Sequence, residues 1–163
     1  MTLSAAERDR LADIVRLQPT KNKELQERWG MESGSEVHSY LEEHLRDYYY
    51  RNENSYICAT PEAAELTGVE PGVEGDGDGV EIIRVPELEA QVFEVVAGPD
   101  ERSESVVSVL QKVREAFDAD PEVDAVREAL QSLRRKGVVE VVYRTVPTFK
   151  LTVAREDVAV EVV

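Results

Sequence analysis

The run PTKNKELQERWGMESGSEVHSYLEEHLRDYYYRNENSYICATPE, Pro19–Glu62, holds two helices and a hairpin without interruption. Leu25 and Trp29, four residues apart, predict a short helix with Thr20 or Asn22 as its cap and Gly30 as its stop. Ser33-Gly34-Ser35 opens the next helix, whose inner face is Val37, Tyr40, Leu41, Leu45 and Tyr48, one side of a 3.6-residue repeat. Tyr48-Tyr49-Tyr50 is rich in strand formers, Arg51-Asn52-Glu53-Asn54 is a polar turn, and Ser55–Ala59 is a second strand, so the three pieces predict a hairpin. Thr60-Pro61-Glu62 then starts a helix, with Thr60 capping and Pro61 at the first helical position.

Upstream, Ser4 and Glu7 form a capping box ahead of the apolar stripe Leu11, Ile14, Val15 and Leu17. Downstream, GVEGDGDG at residues 72–79 has four glycines and little side chain to bury, which predicts an acidic flexible linker. A calcium loop does not fit there, because Val85 stands where a bidentate Glu is required. Beyond it, Pro86–Ala97, Ser105–Phe117 and the stripe Val123, Val126, Leu130, Leu133 predict three more helices. Strands are expected at Val138–Tyr143, Phe149–Val153 and Val158–Val163. The order of three helices and a β-hairpin therefore occurs twice. The expectation is an α+β chain of two modules, residues 1–71 and 80–163, joined through 72–79.

The 163 residues carry 19 Lys and Arg against 34 Asp and Glu, a formal charge of −15. Only five cations are Lys, and the acidity is spread over both halves, 14 anions to 8 cations in Met1–Gly72 and 20 to 11 in Val73–Val163. An evenly acidic, lysine-poor composition resembles the proteins of salt-accumulating halophilic archaea. Acidity ordinarily argues against nucleic acid. At about 1 M salt the Debye length shrinks to about 3 Å, which removes long-range repulsion and most of the counterion-release gain together. Local patches must then decide. No apolar run nears the ~20 residues that cross a bilayer, so no membrane partner is expected. MTLSAAERDRL lacks a signal core, and a cytoplasmic location is expected.

The ordered combination of helix, helix, turn, helix and hairpin over Leu3–Gly68 resembles the winged helix-turn-helix superfamily. Within it, Pro19–Met31 looks like the second helix and turn, and Gly34–Leu41 looks like the recognition helix. Tyr50–Ala59 followed by Thr60-Pro61-Glu62 resembles the wing and the helix start after it. The second module resembles a divergent copy, so the fold class implied is tandem winged-helix-like modules. The whole chain resembles a small uncharacterised family of halophilic archaeal proteins. The superfamily resemblance implies a DNA partner and a role in transcription regulation or DNA architecture, with the third helix in the major groove. Carried onto this chain, it makes Lys21, Asn22, Lys23 and Arg51 candidate phosphate contacts. Ser35, His38 and Ser39 would face base edges, and Arg46 ends the same helix face. Glu42 and Glu43 on that face depart from a basic reader.

Other features read more plainly. His38 and His44 lie on different sides of their helix, with no cysteine or third histidine near, so no metal site is expected. Cys58 reads as a small core residue and excludes an internal disulfide. Arg134-Arg135-Lys136, the one run of three cations, suits a helix C-terminus and offers a backbone contact if the second module also meets DNA. No phosphate loop or nucleophile elbow occurs, so neither an enzyme nor a cofactor is expected. The rival reading is a protein-interaction scaffold whose Glu36, Glu42 and Glu43 face a basic partner. A homodimer is compatible with both.

Overall fold

The computed structural model describes residues 3–76 and 79–163 as a mixed α+β chain that divides into two compact units, Met1–Gly72 and Val73–Val163. In the first unit, α1 (Ala5–Leu17) opens with the expected capping box: Glu7 N donates to Ser4 Oγ at 3.1 Å and Ser4 N to Glu7 Oε1 at 2.8 Å. The next helix, α2 (Asn22–Trp29), ends at Gly30, whose φ of 67° is the left-handed conformation that terminates a helix at least cost in glycine. Ser33 caps α3 (Gly34–His44) by accepting from Glu36 N at 3.2 Å. Strands β1 (Tyr49–Arg51) and β2 (Ile57–Ala59) form the hairpin, Tyr49 opposite Ala59 and Arg51 opposite Ile57, before α4 (Pro61–Thr67). Leu11, Ile14, Val15, Leu25, Val37, Leu41, Leu45 and Ile57 are wholly buried together. Burial of each is worth roughly 1.5–3 kcal/mol.

Two local expectations are corrected. Lys21, not Thr20 or Asn22, occupies the cap of α2 and makes no side-chain cap bond. Thr20 instead bridges Ile57, with both backbone hydrogen bonds formed at 2.9 and 2.7 Å, and so adds a one-residue edge beside β2. The hairpin strand also begins one residue late, because Tyr48 belongs to a single 3₁₀ turn, Arg46–Tyr48.

The larger correction concerns residues 72–79. Val73–Asp76 is a strand, β3, paired antiparallel with β4 (Gly79–Val85), so the stretch expected as a linker is mostly hairpin. Gly77 and Asp78 lie outside the described residues. The glycines serve proximity rather than freedom: a Cβ at Gly72 would sit 2.2 Å from the Arg16 carbonyl oxygen. Val73 and Val80 pack on the core, and Glu74 pairs with Arg84. Together these offset the conformational cost that the glycines impose.

The second unit continues with α5 (Glu87–Val95), the two-residue β5 (Glu104–Ser105), α6 (Val106–Ala116) and α7 (Val123–Arg135). It ends with β6 (Val139–Tyr143), β7 (Pro147–Leu151) and β8 (Ala159–Val162). The strands form two sheets, β5-β7-β6 and β3-β4-β8, in which β8 runs parallel to β4. Arg84 ties three strands, meeting Glu74 at 2.5 Å and Glu161 at 3.2 Å. Phe93, Val109, Leu130, Leu133, Phe149 and Leu151 fill the core between helices and sheets. The two units share one order: helix, edge residue or strand, helix, helix, hairpin. In each, the edge element pairs with the second hairpin strand. None of the described helices is long and apolar enough to cross a membrane.

Candidate nucleic-acid interface

The outer face of α3 is open. Val37 and Leu41 turn inward, and Ser35, Glu36, His38, Ser39, Glu42 and Glu43 are exposed. Gly34 begins the helix against Asn22, the first residue of α2, and Asn22 Nδ2 donates to the Gly34 carbonyl at 3.5 Å. From the hairpin, Arg51 Nη2 donates to Asn22 Oδ1 at 3.2 Å and Nη1 to the Ser55 carbonyl at 3.2 Å. One amide thus joins the starts of two helices to the hairpin. Both of these acceptors are neutral, and the Arg51 charge also reaches the Glu42 carboxylate on α3. Lys21 and Lys23 flank this amide in sequence and are exposed, and neither has a carboxylate partner among the described residues.

The far end of α3 differs. His44, the last residue of α3, lies about 15 Å along the axis from Gly34 by the rise per residue, and Arg46 follows it in the 3₁₀ turn. Arg46 Nε is 3.8 Å from Glu42 Oε2, an i,i+4 pair. Tyr49 Oη donates to Glu42 Oε1 at 2.6 Å. That bond holds the Glu42 carboxyl below its usual range, helped by Arg46, His38 and Arg51. The Tyr49 phenol is pushed up to about 12, first by burial and then by the carboxylate it serves. Glu36 is also engaged, accepting from Glu32 N at 2.9 Å. Glu43 stands out into solvent, 74% exposed, with the His44 ring 3.9 Å away.

Of the candidate residues, Lys21, Asn22, Lys23 and Arg51 come together at one end, and Ser35, His38 and Ser39 share the face leading from it. Arg46 is not among them; it balances Glu42. The histidine that does most structurally is His44, whose Nδ1 is 2.8 Å from Glu7 Oε2 and whose ring lies 4.5 Å from that of Tyr40. It fastens the end of α3 to the start of α1. Sequence reasoning missed both this link and the Tyr49–Glu42 pair, because the partners are distant along the chain or lie on different elements.

In the second unit, the cationic run does not form a surface cluster. Arg135 and Lys136 are buried, 8% and 6% exposed, and Lys136 Nζ reaches Glu89 at 3.3 Å and Ser132 Oγ at 2.7 Å. Only Arg134 is exposed, which removes the expected backbone contact for the other two. The long lysine stem turns back over its own helix, so a run of cations at a helix end need not face water. Beside α7, a groove of about 260 Å³ is lined by Val106, Val107, Val146, Pro147 and Phe149 with Ser105, Arg127 and Gln131 among them, and Arg127 is paired with Asp124.

A family model, described as a family of unknown function, matches residues 3–163. No curated protein and no solved structure matches the chain.

Proposed function

The chain belongs to that family, DUF5797, and because its description assigns no activity, we propose from geometry that the first unit is a winged helix-turn-helix module that binds duplex DNA. On this reading α3 enters the major groove, α2 lies over the backbone, and the β1–β2 hairpin is the wing toward the neighbouring groove. The second unit, whose α5-β5-α6-α7-β6-β7 segment follows the order of the first and whose β3-β4-β8 sheet has no counterpart there, is a second winged-helix-like module that does not share this contact. The observation that carries the proposal is the junction of Arg51, Asn22 and Gly34. It sets Lys21, Lys23 and Arg51 beside the N-terminus of an open helix, where free backbone N–H groups and cations favour the same phosphates. Ser35, His38 and Ser39 then lie on the half of α3 that reads bases.

The role that follows is regulatory or architectural, inside a cell whose salt matches the acidic composition. The test is fluorescence anisotropy with a pool of genomic duplex fragments at about 2 M KCl, a concentration at which diffuse attraction is screened. Wild type should bind and Lys21→Glu/Lys23→Glu should not. Equal, negligible binding by both would end the proposal.

A further inference from the structure

We propose that the free edge of β8, with the groove between β8 and α5, docks an extended cationic segment of a partner protein, which joins the β3-β4-β8 sheet as a fourth strand. The surface belongs to the second unit and is independent of the nucleic-acid reading.

The backbone provides the first reason. Among the described residues β8 has β4 as its single neighbour, and Val163 N donates to the Val85 carbonyl at 3.0 Å. Alternation along the strand then aims the N–H and C=O groups of Val160 and Val162 outward. Natural edges are usually blunted by charged side chains, Pro or a bulge; Ala159–Val162 has no Lys or Pro, pairs with β4 without a bulge, and its one charge, Glu161, is taken up by Arg84. The side chains provide the second reason. Val160 packs on the core, whereas Val162 is 59% exposed and, with Ala90 and Phe117, lines a groove of about 440 Å³.

Charge selects the occupant. Glu87 and Glu94, two turns apart on one face of α5, line the groove, and neither has an ion-pair partner among the described residues. They lie about 10 Å apart along the helix axis. Cations on alternate residues of an added strand, about 7 Å apart, reach both along flexible stems. A second copy of this chain is disfavoured, since a two-fold β8–β8 pairing would offer the groove carboxylates Glu87 and Glu94 an equally acidic groove and no cation. The occupant is therefore a segment that alternates Lys or Arg with aliphatic residues, held by main-chain hydrogen bonds and selected by charge.

The test titrates the full chain with a labelled peptide of sequence Lys-Val-Lys-Val-Lys-Val, in about 1 M KCl to suppress unspecific attraction. Controls are Lys-Pro-Lys-Pro-Lys-Pro, equal in charge but unable to donate at every second residue, and Glu-Val-Glu-Val-Glu-Val. Val162→Pro removes one outward donor and leaves the β4 ladder intact, a position where an edge strand tolerates proline. Glu87→Gln/Glu94→Gln removes the charge. The expected result is binding of the first peptide alone, weakened at least about tenfold by either variant, with amide-exchange protection gained at Val160 and Val162. Circular dichroism checks that both variants fold. Equal binding of the proline peptide, binding unchanged in Val162→Pro, no binding at all, or concentration-dependent protection of the edge without peptide would overturn the proposal.

Discussion

Replacing Gly75 by alanine separates two physical pictures of residues 72–79 by the sign of a stability change. A flexible linker has no packing to disturb, and losing a glycine would shrink the unfolded ensemble and stabilise the chain by about 0.4–1 kcal/mol. In the hairpin, the new Cβ would sit 2.0 Å from the Gly79 carbonyl oxygen and 3.0 Å from Val80 Cα, both backbone atoms. Its φ is not left-handed, so the contact alone is at issue. Relief requires β3 and β4 to part by more than about 1 Å, enough to break the pairing of Gly75 with Val80 and Asp76 with Gly79. With about 1 kcal/mol for each hydrogen bond lost, the cost is about 2 kcal/mol. For a unit of this size that lowers Tm by roughly 8–16 °C. Thermal and urea denaturation followed by circular dichroism measure it. An unchanged or raised Tm would refute the hairpin argument.

Two further outcomes follow from particular pairs. Tyr49, with a folded-state pKa of about 12 against the ordinary 10, adds stability that is complete below pH 10 and is lost as pH rises toward 12. Tyr49→Phe should shrink that decline, the rest coming from Tyr50 and Cys58, which burial also pushes up, and should remove the last phenolate to appear in an absorbance titration. An unchanged decline with an unchanged titration would contradict the Tyr49–Glu42 bond. In the second unit, Lys136→Met strands the Glu89 carboxylate, whose side chain is only 13% exposed, and should cost about 3–5 kcal/mol in urea denaturation. Adding Glu89→Gln should restore most of it, and a double variant no better than the single would show the pair to be incidental.

What the sequence made legible was local. The stripes of α1 and α7 follow from apolar spacing, with Ser4 capping α1, and the structure places these two helices within a residue or two of expectation. By contrast, α3 stops at His44, four residues before the Tyr48 that its stripe was expected to reach, because Tyr48 lies in the 3₁₀ turn Arg46–Tyr48. What stayed hidden was pairing between distant segments. The strand β4, Gly79–Val85, was not anticipated, because its role depends on β8, which joins the chain far downstream. Nor does anything near Arg155 show that its guanidinium donates to the carbonyls of Phe93, at 3.1 Å, and Val96, the last turn of α5. At the site, Lys21, Lys23 and Arg51 were readable as exposed cations. Asn22 was expected to cap a helix, and its actual use as the amide between Gly34 and Arg51 needs the hairpin folded back onto α2. The sequence makes Tyr49 a strand and core residue and Glu42 a charge that repels phosphate; in the structure the two are bonded to each other.

For duplex binding the acidity of α3 matters less than a count of its carboxylates implies, and distance decides this. Glu43, 74% exposed, lies nine residues from Gly34, about 13 Å along the axis. That exceeds the Debye length of about 8 Å at physiological ionic strength and is several times the ~3 Å of 1 M salt. Glu42 has Arg46 and Tyr49 as partners, and Glu36 closes a turn at the helix start. The face is therefore graded: cationic where the starts of α2 and α3 meet the hairpin, balanced at Glu42, and acidic beyond. A duplex lying along the whole of α3 would carry its phosphates into Glu43, whereas one approached end-on meets Lys21, Lys23, Arg51, Ser35, His38 and Ser39 together with the single Glu36 carboxylate of the first turn. On the proposed duplex-binding reading, end-on entry is the geometry that this distribution of charge favours, and substitutions at Ser35, His38 and Ser39, rather than at Arg46, are then expected to alter sequence preference.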